Sequence, residues 1–141
     1  MELTDAMDFV RSHKRGVLVT QKRDGRPQLS NIAYAVGEDG VIRISITADR
    51  AKYKNLQREP IASLHVARDD FYAYVVLEAD VELSDVAAAP DDAAVDELVE
   101  YYRAVAGEHD DWADYRQAMV DDQRLIVRLK PTHAYGMLPS G

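Results

Sequence analysis

Between Gly16 and Thr47 apolar and polar residues alternate in three short runs, and this period of two, interrupted by two tight turn signals, constrains the fold most. Val17 to Lys22 leads into Asp24-Gly25, a pair suited to a hairpin turn, and Gln28 to Val36 returns from it. Pro27 stands where a strand can begin. A second turn, Gly37 to Gly40, precedes Val41 to Thr47, where Ile42, Ile44 and Ile46 face one way and Arg43 and Ser45 the other. The three runs are expected to form an antiparallel meander.

The same alternation returns in Ile61 to Ala67, Phe71 to Leu83 and Arg124 to Lys130. In the second of these, Val75, Leu77, Ala79, Val81 and Leu83 alternate with Val76, Glu78, Asp80 and Glu82, so one face is buried and a bend midway is expected. Leu125, Val127 and Leu129 point inward from the last run.

Helical spacing is inserted among the strands. Thr4 is placed to cap a helix reaching about His13, and Arg50 to Gln57 forms a short one that Pro60 stops. Pro90, Asp91 and Asp92 open a helix with Val95, Leu98, Val99 and Tyr102 on one face and Gly107 at its end. Asp111 to Val120 follows, with Trp112, Tyr115 and Met119 as its packing face. Six strands joined mostly by short turns, with inserted helices, predict an α+β fold on an antiparallel barrel rather than a parallel sheet. The 141 residues fit one domain, 1–141.

Composition removes several function classes. There is no cysteine, which excludes thiolate nucleophiles, iron–sulfur clusters and cysteine-ligated zinc. Seventeen basic residues against 25 acidic ones give a net charge of −8, which repels a phosphate backbone and argues against nucleic acid as a partner. His13, His65, His109 and His133 are scattered without ligand spacing, so no metal is expected. Met1 to Lys14 carries Glu2, Asp5 and Asp8 and lacks the pattern of a leader, and no run approaches the roughly 20 apolar residues of a membrane span. A cytoplasmic location without membrane association is expected.

Against this acidic background, Thr47 to Arg58 carries four basic residues and one aspartate. Arg50, Lys52 and Lys54 lie in the first turns of the short helix, where positive charge opposes the macrodipole. An anion bound there, held by free backbone N–H groups, a guanidinium and an ammonium, would repair the mismatch. A solvated basic face is the plainer reading of such a run. A second polar group lies on Gly25 to Asn31, where Gln28 and Ser30 point to one face and Asn31 to the other; strand amides of this kind can bond a heterocycle's carbonyls and ring nitrogens. A polar outer hairpin face is the alternative. Asp91-Asp92 and Asp110-Asp111 each precede a helix and read as caps before catalytic pairs.

Gly16-Val-Leu-Val-Thr20, Asp24-Gly-Arg-Pro-Gln-Leu-Ser-Asn31 and Arg50-Ala-Lys-Tyr-Lys-Asn-Leu56 together resemble the pyridoxamine-phosphate-oxidase-like superfamily, most closely its deazaflavin-dependent branch. The likeness continues through Ala88-Ala-Pro-Asp-Asp92, Ala106-Gly-Glu-His109, Trp112, Asp114 to Met119 and His133-Ala-Tyr-Gly136. Each motif is loose, and their order over most of the chain carries the resemblance. It implies a split β-barrel homodimer that holds a flavin or deazaflavin between subunits. Residue by residue, it implies that Arg50, Lys52 and Asn55 hold the phosphate end, and that Gln28, Ser30 and Asn31 line the ring pocket. Ser45 and Ile46 would offer backbone contacts, and Tyr72 and Tyr74 would reach in from the partner.

The activity so implied is hydride transfer from reduced coenzyme F-420 to an unsaturated small-molecule substrate, with no side chain required as catalytic acid or base. The alternatives are an FMN enzyme of the pyridoxamine phosphate oxidase type and a non-catalytic carrier of the cofactor.

Overall fold

The computed structural model describes residues 1–139. Helix α1 (Leu3–Arg11) is followed by strands β1 (Arg15–Gln21), β2 (Pro27–Ala33), β3 (Ala35–Val36) and β4 (Ile42–Thr47). Helix α2 (Ala51–Arg58) leads to β5 (Ile61–Ala67) and β6 (Tyr74–Leu83), then α3 (Ala93–Ala106), α4 (Trp112–Asp121) and β7 (Arg124–Met137). The strands form one antiparallel sheet in the order β2-β1-β5-β6-β7-β4-β3. Its two end strands are consecutive in the chain, separated only by Tyr34, so the sheet curls until its ends meet. This is the expected α+β split-barrel architecture.

The expected meander is replaced by a break at Tyr34. Its side chain is 2% exposed and its hydroxyl donates to the Val10 carbonyl of α1 at 2.7 Å, which turns the chain out of β2 and into β3. Burial raises the Tyr34 pKa and keeps the phenol neutral. The first hairpin forms as read, with Gly25 at φ 88, a conformation glycine adopts without a Cβ clash.

Two further boundaries differ. Helix α1 begins at Leu3, because the Ala6 N–H already closes a turn on the Glu2 carbonyl; Thr4 lies inside it and does not cap it. Strand β7 runs on to Met137, past Pro131, because one residue is extra there. Ala79 faces Pro131 and Glu78 faces His133, so Thr132 bulges out and its hydroxyl donates to the Glu78 carbonyl at 3.2 Å. A proline sits in a strand at such a bulge without breaking the ladder. The irregularity faces β6 between Glu78 and Ala79, midway along that strand.

Two cores result. The barrel interior is filled by residues such as Leu18, Ile42, Ile44, Ile46, Leu64 and Leu77, and α1 plugs it with Ala6, Phe9 and Val10. The second lies outside the barrel, where Val95, Leu98, Val99, Tyr115 and Met119 of α3 and α4 cover Ile126 of β7. Leu125, Ile126 and Val127 are thereby buried on both faces. Asp92 and Asp111 cap α3 and α4, accepting from the Val95 and Asp114 N–H groups.

Candidate functional site

The loop from β4 into α2 is the point where the acidic chain turns basic. Arg50 is the N-cap of α2, no side chain caps the helix, and its first turn holds no acid. The Arg50 N–H donates to the Thr47 carbonyl at 3.2 Å, and the Asp49 carboxylate accepts from Thr47 Oγ1 at 2.5 Å. That hydrogen bond holds the Asp49 carboxyl below its ordinary range. Lys52 is half-buried, and burial followed by the charges of Arg50 and Arg124 lowers its pKa.

Asn55, three residues on, is turned inward. It is 6% exposed, and its Nδ2 donates to Thr20 Oγ1 at 3.2 Å and to Gln28 Oε1 at 3.1 Å. Its Oδ1 accepts from Arg58, which also donates to the Gln21 carbonyl. Asn55 and Gln28 thus spend their amides on each other and fix α2 against the β1–β2 hairpin. In this arrangement they position the basic helix from behind.

The split of faces read from the sequence is present in β2. Gln28 and Ser30 pair with Thr20 and Leu18, which are buried inside the barrel. Asn31 pairs with Val17, which in turn faces His65, Val76 and Tyr135 in one row across the outer surface. Asn31 and His65 line an open hollow of about 510 Å³ with Arg15 and Phe71. Tyr74 lies against His65, their rings 5.7 Å apart, and Tyr72 is 78% exposed in the turn before β6. Within one chain the ten residues therefore fall into an outer group, an inner group and the β4–α2 loop.

Strand β4 has one open edge. Strand β3 pairs with it only at Ile42 and Arg43, so beyond Arg43 that edge has no ladder partner among the described residues, although Ser45 and Ile46 remain paired to β7 on the other side. The Ile46 side chain is buried inside, and Ser45 faces out. Tyr101 of α3 reaches this gap, where its hydroxyl donates to the Ala33 carbonyl at 2.9 Å; burial raises its pKa, against a smaller opposing effect of the Ser45 backbone. Tyr101 and Arg124 were missed from sequence because neither belongs to a local motif.

Comparison with known proteins agrees with this fold. The sequence pattern of the family described as pyridoxamine 5'-phosphate oxidase matches residues 3–138. A conserved hypothetical protein from Mycobacterium tuberculosis is 25% identical, with a TM-score of 0.72 over 100% of this chain and 91% of its own. A protein described as an F-420 reductase is 27% identical, with a TM-score of 0.59 over 86% of this chain and 89% of its own. A heme storage protein from Vibrio cholerae, 16% identical over 97% of this chain and 96% of its own, has a TM-score of 0.69; at that identity the likeness shows the fold alone.

Proposed function

The chain belongs to the pyridoxamine 5'-phosphate oxidase family, and from that premise we propose that it transfers a hydride from reduced coenzyme F-420 to an unsaturated organic substrate. The observation that carries the reading is the loop at Arg50 and Lys52: two cations at a helix start that lacks both a cap and an acid in its first turn. A phosphate fits there, because among the described residues neither cation forms a salt bridge, and the one acid nearby, Asp49, is exposed and spends its carboxylate on the Thr47 hydroxyl. The neighbour described as an F-420 reductase favours the deazaflavin over FMN.

The bound deazaflavin would supply the hydride. The chain's own part is to hold and orient it. Arg50 and Lys52 take the phosphate, and the open edge of β4 at Ser45 and Ile46 offers backbone donors and acceptors to a planar ring. Gln28 and Asn55 keep α2 in register with the barrel, and Ser30 stands beside them on the inner face.

A second copy of the chain completes the site in this reading. The outer face of β2-β1-β5-β6-β7 carries Leu29, Ile61, Phe71, Tyr72, Tyr135 and Met137 exposed. Phe71 is held at φ 65, a conformation that costs a bulky residue about 1–3 kcal/mol and leaves its ring 80% exposed. A homodimer would cover this face and bring Asn31, Tyr72 and Tyr74 of one copy toward the loop of the other.

The test is calorimetric titration of the purified protein with coenzyme F-420 and with FMN, alongside light scattering. The expected outcome is a dimer that binds the deazaflavin more tightly. Lys52→Ala should weaken that binding roughly tenfold to a hundredfold, the loss of one charge-assisted hydrogen bond of about 1.5–3 kcal/mol, with the melting temperature of the cofactor-free protein unchanged or slightly higher. Tight binding of FMN without the deazaflavin would make the protein a flavin enzyme.

A further inference from the structure

The loop holding Arg50 and Lys52 is stitched to the first residues of β7. Thr47 faces Arg124 across the ladder, and the Ala48 N–H donates to the Gln123 carbonyl at 3.0 Å. Three cations from two distant parts of the sequence therefore gather at one loop, and among the described residues none of the three forms a salt bridge. Arg124 is the one with a buried donor left open: its Nε is sealed from solvent with no hydrogen-bond partner among the described residues, and its Nη1 reaches Ser45 Oγ at a long 3.4 Å.

An arginine kept for structure closes its donors on a carboxylate or carbonyl, as Arg43 and Arg128 do on Glu97. No ligand reaches the sealed Nε, but the guanidinium as a whole has no carboxylate partner among the described residues, and its charge stands close enough to Lys52 and Asp49 to act on both. Resting on the reading that this loop holds a cofactor phosphate, we propose that Arg124 is a third anion-binding residue, approaching from the barrel wall while Arg50 and Lys52 approach from the helix. Three positive charges, less that of Asp49, suit a ligand bearing two negative charges close together. A doubly ionised phosphate monoester provides them, and so does a phosphodiester with a carboxylate nearby.

The experiment compares the unmodified protein with Arg124→Gln and Arg124→Lys. Each is titrated with FMN, coenzyme F-420 and riboflavin, the last having the ring without the phosphate. Thermal melting of the cofactor-free proteins is followed in inorganic phosphate at constant ionic strength. The glutamine variant should bind the preferred phosphorylated cofactor about tenfold to a hundredfold more weakly, the lysine variant less so, and riboflavin should be unaffected. Phosphate should raise the melting point of the unmodified protein and raise that of the glutamine variant less. A larger loss for FMN assigns the second charge to the phosphate itself, and a larger loss for the deazaflavin assigns it to a neighbouring carboxylate.

If the unmodified protein binds neither cofactor but its phosphate response depends on Arg124, the cofactor reading falls and the anion site stands. Equal cofactor binding and equal phosphate response in the glutamine variant overturn the inference alone. Should that variant not fold, the same two equalities in the lysine variant overturn it.

Discussion

Two groups of basic side chains stand on the same outer face of the β4–β7 pair, about 13 Å apart along the strands, and the chain treats them in opposite ways. At one end Arg43 faces Arg128 across the ladder, and Glu97 descends from α3 between them, at 2.9 Å from Arg43 Nε and 2.6 Å from Arg128 Nη2. Glu82 and Asp39 complete the ring of acids. At the other end Arg124 faces Thr47 beside Arg50 and Lys52, and no helix supplies an acid to close the group. The neutralised group clamps helix to sheet; the unneutralised one holds the charge that the proposed function assigns to a ligand.

The largest effect belongs to the closed end. Burial pulls the Glu97 pKa upward, but hydrogen bonds from Arg128 and Arg43 outweigh it and hold the carboxyl below its ordinary range. Glu97→Gln would leave two arginines facing each other and should cost on the order of 3 kcal/mol, or ~10 °C in melting temperature. Cofactor affinity should not change. Because the folded pKa is lowered, this stabilisation is complete above the unfolded value of about 4.3 and fades as pH falls through the folded value. Thermal melts between pH 3 and 7 on both proteins would show the gap narrowing toward acid; a constant gap breaks the assignment.

Asn55→Ala should have an intermediate effect that crosses between the two ends. Losing the amide that joins Thr20, Gln28 and Arg58 should cost about 1–3 kcal/mol in denaturant unfolding. By loosening α2 it should also weaken cofactor binding severalfold. Weaker binding with unchanged stability would instead make Asn55 a direct phosphate ligand, as the family resemblance implies.

Asp49→Asn should have the smallest effect and the opposite sign. Removing an exposed acid from beside Arg50 and Arg124 should tighten binding of the phosphorylated cofactor by roughly two- to fivefold at low salt, and less at high salt. Titrations at two salt concentrations measure it. Weaker binding would mean that the Thr47–Asp49 hydrogen bond shapes the loop more than the charge opposes the ligand.

What the sequence revealed depended on how local the cause was. The hairpin at Gly25, the helices at Asp92 and Asp111 and the basic start of α2 are written in adjacent residues, and all were legible. The break at Tyr34 was not, because its cause is a carbonyl 24 residues away in α1. The alternation in the last strand is legible only to Lys130, and pairing with β6 reveals the bulge that carries the strand past Pro131. For the same reason Arg50 and Lys52 were visible as a cluster, whereas Arg124 and Tyr101 join them only through register and helix packing. Asn55 enters through the family resemblance as a phosphate-end residue, and only the fold shows that it turns inward.

The break at Tyr34 also bears on solubility. An open sheet presents two rows of unpaired backbone groups, and such rows are templates on which further chains can stack into aggregates. Here the two ends of the sheet belong to one interrupted segment. Strand β3 is two residues long, too short to nucleate a ladder, and β2 starts at Pro27, which has no N–H to contribute. By folding one β run into both ends of the sheet, the chain shortens the rows open to strand addition, leaving the outer side of β2 and the β4 edge beyond Arg43 as the stretches where another strand could add.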